Sequence, residues 1–152
     1  MSGYILKKNN ESKPLNILEN FIKIAYTIDC IFIYNNNKYI SEKDKYDYLS
    51  VNFADDFNQI SEDNERQFQF YLYINRLQNI EIYHEIFYKV GYIELIDDDN
   101  TKLIFEFVYE YLKLNPEEYF WVEWGYLYKW EDMQKLKSIP FDKDWCFKIP
   151  PN

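Results

Sequence analysis

Hydrophobic residues recur along this chain with two different periods, and the changes from one period to the other predict its secondary structure. Apolar side chains at helical spacing, with polar residues between them, predict helices over residues 14–26, 101–114 and 131–137. The same spacing continues over 82–90, where Gly91 offers the left-handed stop that ends many helices. The pattern therefore predicts three or four helices.

Other segments alternate with period two or are short runs of β-branched and aromatic residues, and both features are typical of strands. The run 28–34 predicts a strand, and the asparagine triplet 35–37 predicts a hairpin turn after it. Residues 67–75 alternate strictly, although a serine and a glutamate upstream also permit a helix start there. Further strands are predicted over 92–96 and 119–124.

One long polar segment separates these elements. Residues 41–65 carry many charges and only scattered apolar side chains, so we expect an acidic, partly helical surface excursion. At 152 residues the chain has the usual size of one domain. We therefore predict a single α+β domain over 1–152, with a mixed sheet of about four or five strands and three or four helices.

Charge narrows the class of partner. The formal net charge is −9, and two blocks account for it: 41–65 has eight acidic and two basic residues, and 94–128 has nine and two. Such a field repels nucleic acid and anionic membranes and attracts a basic protein, although it also fits an ordinary acidic surface. With no secretion signal and no apolar run of about 20 residues, we expect a cytoplasmic protein without a membrane segment.

No motif for catalysis or cofactor binding is found. His84 is the only histidine and is adjacent to Glu85, so on a helix the two side chains would not face each other. With 3 glycines the chain lacks a phosphate-binding loop, and no cysteine or histidine cluster suits a metal. The aspartates 97–99 are expected to form a turn that caps the next helix. We therefore expect a protein that is not an enzyme and binds no cofactor.

Large aromatic residues concentrate in the last third of the chain. All four tryptophans, Trp121, Trp124, Trp130 and Trp145, lie in a stretch that opens with acidic residues. Strand alternation would place Trp121 on the face opposite to Trp124. We expect Trp130 and Trp145 to be mainly structural, whereas Trp121 remains as a candidate docking residue.

The leaderless acidic α+β domain, its two acidic blocks and the ending YKWEDMQKL to DWCFKIPP together resemble the small acidic immunity proteins of polymorphic or contact-dependent bacterial toxin systems. The resemblance is one of class and rests on no diagnostic motif. It implies that the chain binds and neutralises a cognate, basic protein toxin. Carboxylates would attract the toxin and aromatic side chains would anchor it.

Nine residues form the predicted partner-binding surface. Seven carboxylates would steer the partner and two aromatic residues would anchor it: Asp55, Asp56, Asp97, Asp98, Asp99, Glu117, Glu118, Tyr119 and Trp121. Two alternatives remain open. One is an inhibitor that mimics nucleic acid, and the other is a small carboxylate-dependent enzyme, which would need a concave pocket with convergent acidic groups of perturbed pKa.

Overall fold

A computed structural model of the chain describes residues 1–40, 47–55, 66–74, 77–94 and 96–152. Within these residues the chain forms eight strands and three α-helices. The strands are β1 (Gly3–Lys7), β2 (Ile31–Ile40), β3 (Asp47–Ala54), β4 (Gln67–Tyr73), β5 (Asn79–Ile82), β6 (Glu85–Ile93), β7 (Tyr119–Val122) and β8 (Leu127–Tyr128). The helices are α1 (Pro14–Thr27), α2 (Thr101–Leu114) and α3 (Trp130–Lys137), and a 3₁₀ turn spans Trp145–Phe147.

All strands belong to one open sheet with the order β2-β3-β4-β6-β1-β7-β8, and β5 pairs with the first half of β6. Every pairing between neighbouring strands is antiparallel. The short N-terminal strand β1 lies near the middle, where it pairs with both β6 and β7. The strand predicted over 92–96 overlaps the end of β6, and the one predicted over 119–124 is β7, but β1 lies between these two strands in the sheet.

The three helices pack against one face of this sheet and form the main core with it. Phe21 of α1 is fully buried, and its ring meets those of Phe53, Phe70 and Phe107 at centroid separations of 5.1 to 5.5 Å. Burial of each such side chain contributes about 1.5–3 kcal/mol. Trp145 is also buried, which agrees with the structural role expected for it.

A smaller apolar cluster lies on the opposite face, which we call the outer face. Its buried members all come from strands: Leu6, Ile82, Phe87 and Trp121. Ile5 and Leu6 are successive residues of β1 and point to opposite faces of the sheet, so both are buried, each in a different cluster. Among the described residues no helix contributes to the outer-face cluster.

The α+β class and the three helices are confirmed, whereas the predicted size and type of the sheet are wrong. The sheet has eight strands instead of four or five, and it is antiparallel instead of mixed. The first strand was missed because Gly3–Lys7 carries lysine and glycine and shows little alternation. The asparagines of 35–37 lie inside β2, at a register irregularity, and do not form the predicted turn.

The prediction of a surface excursion over 41–65 is wrong where the structure describes the chain. Asp47–Ala54 is an internal strand that pairs with β2 on one side and β4 on the other. Val51 and Phe53 are fully buried, so a few alternating apolar residues were enough for a core strand. Residues 41–46 and 56–65 lie outside the described residues.

The predicted helix over 82–90 is also wrong. This segment is the hairpin of β5 and β6, which turns at Tyr83 and His84. Its apolar residues serve two faces: Phe87 belongs to the outer-face cluster and Val90 to the main core. Phe87 and Val90 are three positions apart, a spacing that places two residues on one face of a helix but on opposite faces of a strand.

Candidate functional site

The structure divides the predicted carboxylates between opposite ends of the sheet. Asp55 is exposed and follows β3, and its N–H donates to the carbonyl of Arg66 (3.2 Å). The 97–99 turn lies at the same end, because Nδ2 of Asn100 donates to the carbonyl of Gln67 (3.2 Å) at the start of β4. Asp56 lies outside the described residues.

Glu117 and Glu118 precede β7 and therefore lie at the other end of the sheet. With about 3.3 Å of rise per residue, the four residues of β7 alone place this end roughly 13 Å from the next turn. Glu117 is exposed, whereas Glu118 is buried, with 6% exposure. The predicted carboxylates thus do not form one continuous steering surface.

The aspartates of 97–99 close their own turn, and the expectation that they cap α2 is wrong. Oδ1 of Asp97 accepts the N–H groups of Asp99 (3.0 Å) and Asn100 (3.1 Å), which precede the helix. Asn100 is the N-cap residue, and no side chain caps α2. Asp98 lies 3.5 Å from Nζ of Lys143.

Tyr119 and Trp121, the predicted anchors, do lie together on the outer face. The ring of Tyr119 meets Phe87 edge-on at 5.3 Å. Trp121 is only 8% exposed, and its Nε1 donates to the carbonyl of Gly125 (3.2 Å). Trp121 therefore supports the surface around it and offers little area of its own.

A row of aromatic side chains crosses the outer face, and sequence reasoning missed most of it. It contains one residue from each of five adjacent strands, β3, β4, β6, β1 and β7: Tyr48, Tyr71, Tyr92, Tyr4 and Trp121. Successive ring centroids are 4.9 to 5.9 Å apart, and Tyr71 and Tyr92 are stacked. We call this set the aromatic row.

Two carboxylates at one end of the sheet accept hydrogen bonds from tyrosines of the aromatic row. The hydroxyl of Tyr71 donates to Glu94 (2.9 Å), and the hydroxyl of Tyr4 donates to Glu123 (3.1 Å). Burial, followed by the hydrogen bond and charge of Glu123, raises the pKa of Tyr4 to about 12. The hydroxyl of Tyr4 therefore stays protonated at neutral pH. The row combines apolar ring area with fixed acceptors at its margin.

One lysine lies within the aromatic row. Nζ of Lys89 is 4.5 Å from the centroid of the Tyr4 ring and 3.2 Å from Oε1 of Gln78. Burial lowers the pKa of Lys89. Its contact with the Tyr4 ring is a cation–π interaction, which shows that this part of the face already accommodates a cationic group.

A cleft with a volume of about 880 Å³ lies at the opposite end of the sheet. It is bounded by the segment that leads from β1 into α1 and by the end of α2, and Glu118 is part of its wall. Oε1 of Glu118 accepts the hydroxyl proton of the buried Tyr111 (3.0 Å). Burial raises the pKa of Glu118 to about 7 and lowers that of Lys7, which also lines the cleft.

Most other charged side chains of the cleft are paired with each other or with a neighbour. Lys13 lies 3.5 Å from Glu11, and Lys23 lies 3.3 Å from Glu19. Lys8 pairs with Glu85 of β6. Within the described part of the chain, no group of three or more histidine, cysteine or acidic residues is arranged to hold a metal ion. No helix there combines the length and apolar character needed to cross a membrane.

His84, the only histidine, is fully exposed in the turn between β5 and β6. Its Nδ1 lies 3.7 Å from Oε1 of Glu81, and its side chain is 99% exposed.

A search of protein-family models, curated proteins and solved structures finds no match to this chain.

Proposed function

We propose that this protein is an immunity protein of the cytoplasm, which binds a cognate basic toxin and blocks it. The observation that supports the proposal is the aromatic row on the outer face, with Glu94 and Glu123 at its margin. Tyrosine and tryptophan are the residues most enriched in the energetic centres of protein interfaces. No described helix packs against this face of the sheet, so its aromatic side chains can contact a partner.

Charge makes a basic protein the best-matched partner. The net charge of −9 attracts a basic surface over long range, and Glu94 and Glu123 provide acceptors where that surface would meet the rings. A mimic of nucleic acid would need carboxylates spaced along one face like phosphates. The carboxylates predicted to bind the partner are instead divided between two ends of the sheet, and several carboxylates of the described residues are paired with lysines.

The test is co-expression with the product of the gene beside this chain, which the proposal expects to be a toxin, followed by measurement of binding by calorimetry. We expect a complex and protection of cells that express the toxin. Glu94→Lys with Glu123→Lys should lower the association rate and its dependence on salt. The matched control reverses two carboxylates on the helical side, Glu19→Lys with Glu131→Lys. A neighbouring gene of metabolism, or a toxin that does not bind, would refute the proposal.

The cleft supports a second candidate, the small carboxylate-dependent enzyme. Glu118, with a pKa near 7, and Lys7, with a lowered pKa, line the same concavity, and such groups suit proton transfer at neutral pH. The hydrogen bond from Tyr111 gives Glu118 a structural role as well. A thermal-shift screen of polar metabolites separates the two candidates. A ligand that stabilises the wild type but not Glu118→Gln would favour the enzyme.

A further inference from the structure

Two tight turns hold exposed ring side chains in a backbone conformation that such residues rarely adopt. Tyr83 has φ 52°, His84 has φ 65° and Trp124 has φ 64°. Among the described residues, Asp29 is the only other residue with a positive φ. A bulky residue in this region is strained, because its Cβ approaches the following carbonyl.

The first turn joins β5 to β6 through two residues. Ile82 pairs with Glu85, so Tyr83 and His84 form the whole connection, and both have positive φ. This is the type I′ geometry, in which asparagine followed by glycine is strongly preferred. Neither preferred residue is present, so the local sequence disfavours the turn that the hairpin adopts.

The second turn joins β7 to β8, and the N–H of Gly125 donates to the carbonyl of Val122 (2.8 Å). Trp124 occupies the third position, where a positive φ calls for glycine or asparagine. A glycine lies next to this position, yet no glycine of the described chain has a positive φ. The indole of Trp121 donates to the carbonyl of Gly125 and so stabilises the turn.

The strained residues gain almost no burial in return. Trp124 is 96% exposed and Tyr83 is 71% exposed. A tryptophan in water at a position that favours glycine benefits neither packing nor backbone energy. Strained residues that the surrounding structure maintains are concentrated at binding and catalytic sites.

The neighbours of both turns belong to the outer-face cluster. Ile82, next to the first turn, and Trp121, beneath the second, are members of the same apolar cluster. Burial and Asp132 raise the pKa of Tyr126, just after the second turn, and Tyr83 makes a smaller contribution to that shift. We call Tyr83, His84 and Trp124 the ring tip.

Acidic residues accompany the ring tip. Oε1 of Glu81 lies 3.7 Å from Nδ1 of His84, and Glu123 directly precedes Trp124. Glu123 also binds the hydroxyl of Tyr4, which connects the ring tip to the aromatic row. A partner that covers both surfaces must therefore be basic around any apolar pocket that receives a ring.

We propose that the ring tip is the anchor of the docking surface, and that Trp124 inserts into an apolar pocket of a basic partner protein. This inference rests on the proposed function and assigns its main energetic contact. Truncation of a central tryptophan in an interface weakens binding by about thirty-fold or more.

The test uses the full chain and the product of the adjacent gene, which the proposed function expects to be a toxin. Trp124→Gly and the pair Tyr83→Asn with His84→Gly supply the residues that each turn prefers, so both variants should fold. We expect Trp124→Gly to weaken binding by at least about thirty-fold and to raise the urea midpoint of unfolding. Tyr26→Ala is the matched control, because Tyr26 is an 87% exposed aromatic residue of α1. It should leave the affinity unchanged.

Each other outcome excludes a different part of the inference. If Trp124→Gly binds as tightly as the wild type, the anchor is wrong while the proposed function stands. If the wild type does not bind at all, both are wrong. If the wild type self-associates in sedimentation experiments and Trp124→Gly does not, the tip binds a second copy and the assigned partner is wrong. A lower urea midpoint for Trp124→Gly would show that Trp124 serves the fold.

Discussion

Substitution of Glu118 by glutamine should remove a large part of the pH dependence of stability. Glu118 is 6% exposed, and burial raises the pKa of its carboxyl to about 7 from an ordinary value of 4.5. Between these two pH values the folded protein keeps the proton, whereas the unfolded chain has lost it. Unfolding therefore releases a proton in this window, and stability falls as the pH rises from 4.5 to 7.

The size of the effect follows from the difference between the two pKa values. Each pKa unit corresponds to about 1.36 kcal/mol, so the interval from 4.5 to 7 corresponds to about 3 kcal/mol of stability lost at neutral pH. Glutamine is uncharged at every pH and keeps an oxygen that can accept the hydroxyl proton of Tyr111. The advantage of Glu118→Gln over the wild type should therefore grow by about 3 kcal/mol between pH 4.5 and pH 8.

The assay is urea unfolding, followed by tryptophan fluorescence, at intervals from pH 4.5 to pH 8. The difference between variant and wild type cancels the titration of all other groups. Glu131→Gln, at an exposed carboxylate of α3, is the matched control and should keep the wild-type profile. Tyr111→Phe removes a hydrogen bond that favours the ionised carboxylate, so it should shift the decline toward higher pH. Parallel profiles for Glu118→Gln and the wild type would refute the reasoning.

Three further predictions test the fold and its strained parts. Gly91→Ala should cost about 3 kcal/mol, because a Cβ there would lie 2.3 Å from the Phe70 ring; an unchanged urea midpoint would contradict this close packing. Trp124→Gly should gain about 1 kcal/mol, since relief of strain exceeds the entropic cost of glycine, and Trp124→Ala, which keeps the strain, should not. Burial raises the pKa of Cys30 and Cys146 from 9.0 to about 12, so native protein at pH 8 should hold on the order of a thousandfold less thiolate than urea-unfolded protein. Rapid labelling of native protein by a thiol reagent would contradict that shift.

Elements whose pattern was long and regular could be predicted from the sequence. Thr101–Leu114 and Gln67–Tyr73 each repeat one period without interruption, and both occur as predicted. The helix predicted over 82–90 failed because the hairpin has no asparagine-glycine turn, so the sequence contains no signal that two strands meet at Tyr83 and His84. The absence of the preferred turn residues therefore hid the hairpin from sequence analysis, and the same absence is what makes the turn strained.

The candidate site was less predictable than the fold, because strand order assembles it. Tyr4 and Tyr92 are 88 positions apart, and they meet only because β1 pairs with β6. No local pattern reports which strands become neighbours, and the missed strand β1 is the one that joins the two halves of the aromatic row. Tyr119 and Trp121 could be predicted, since alternation along one strand was enough to place them on the same face.

The two candidate functions make opposite demands on Glu118, which lets one variant separate them. In the binding protein, Glu118 is a buried wall residue whose charge is costly at neutral pH, so Glu118→Gln should gain stability and still neutralise the toxin. In the enzyme, the same raised pKa is the functional property, so the glutamine variant should gain stability and lose activity. The aromatic row lies on the other face, so its substitution should affect only the binding protein. If Glu118→Gln still neutralised the toxin at pH 8, the cleft would therefore have no part in neutralisation.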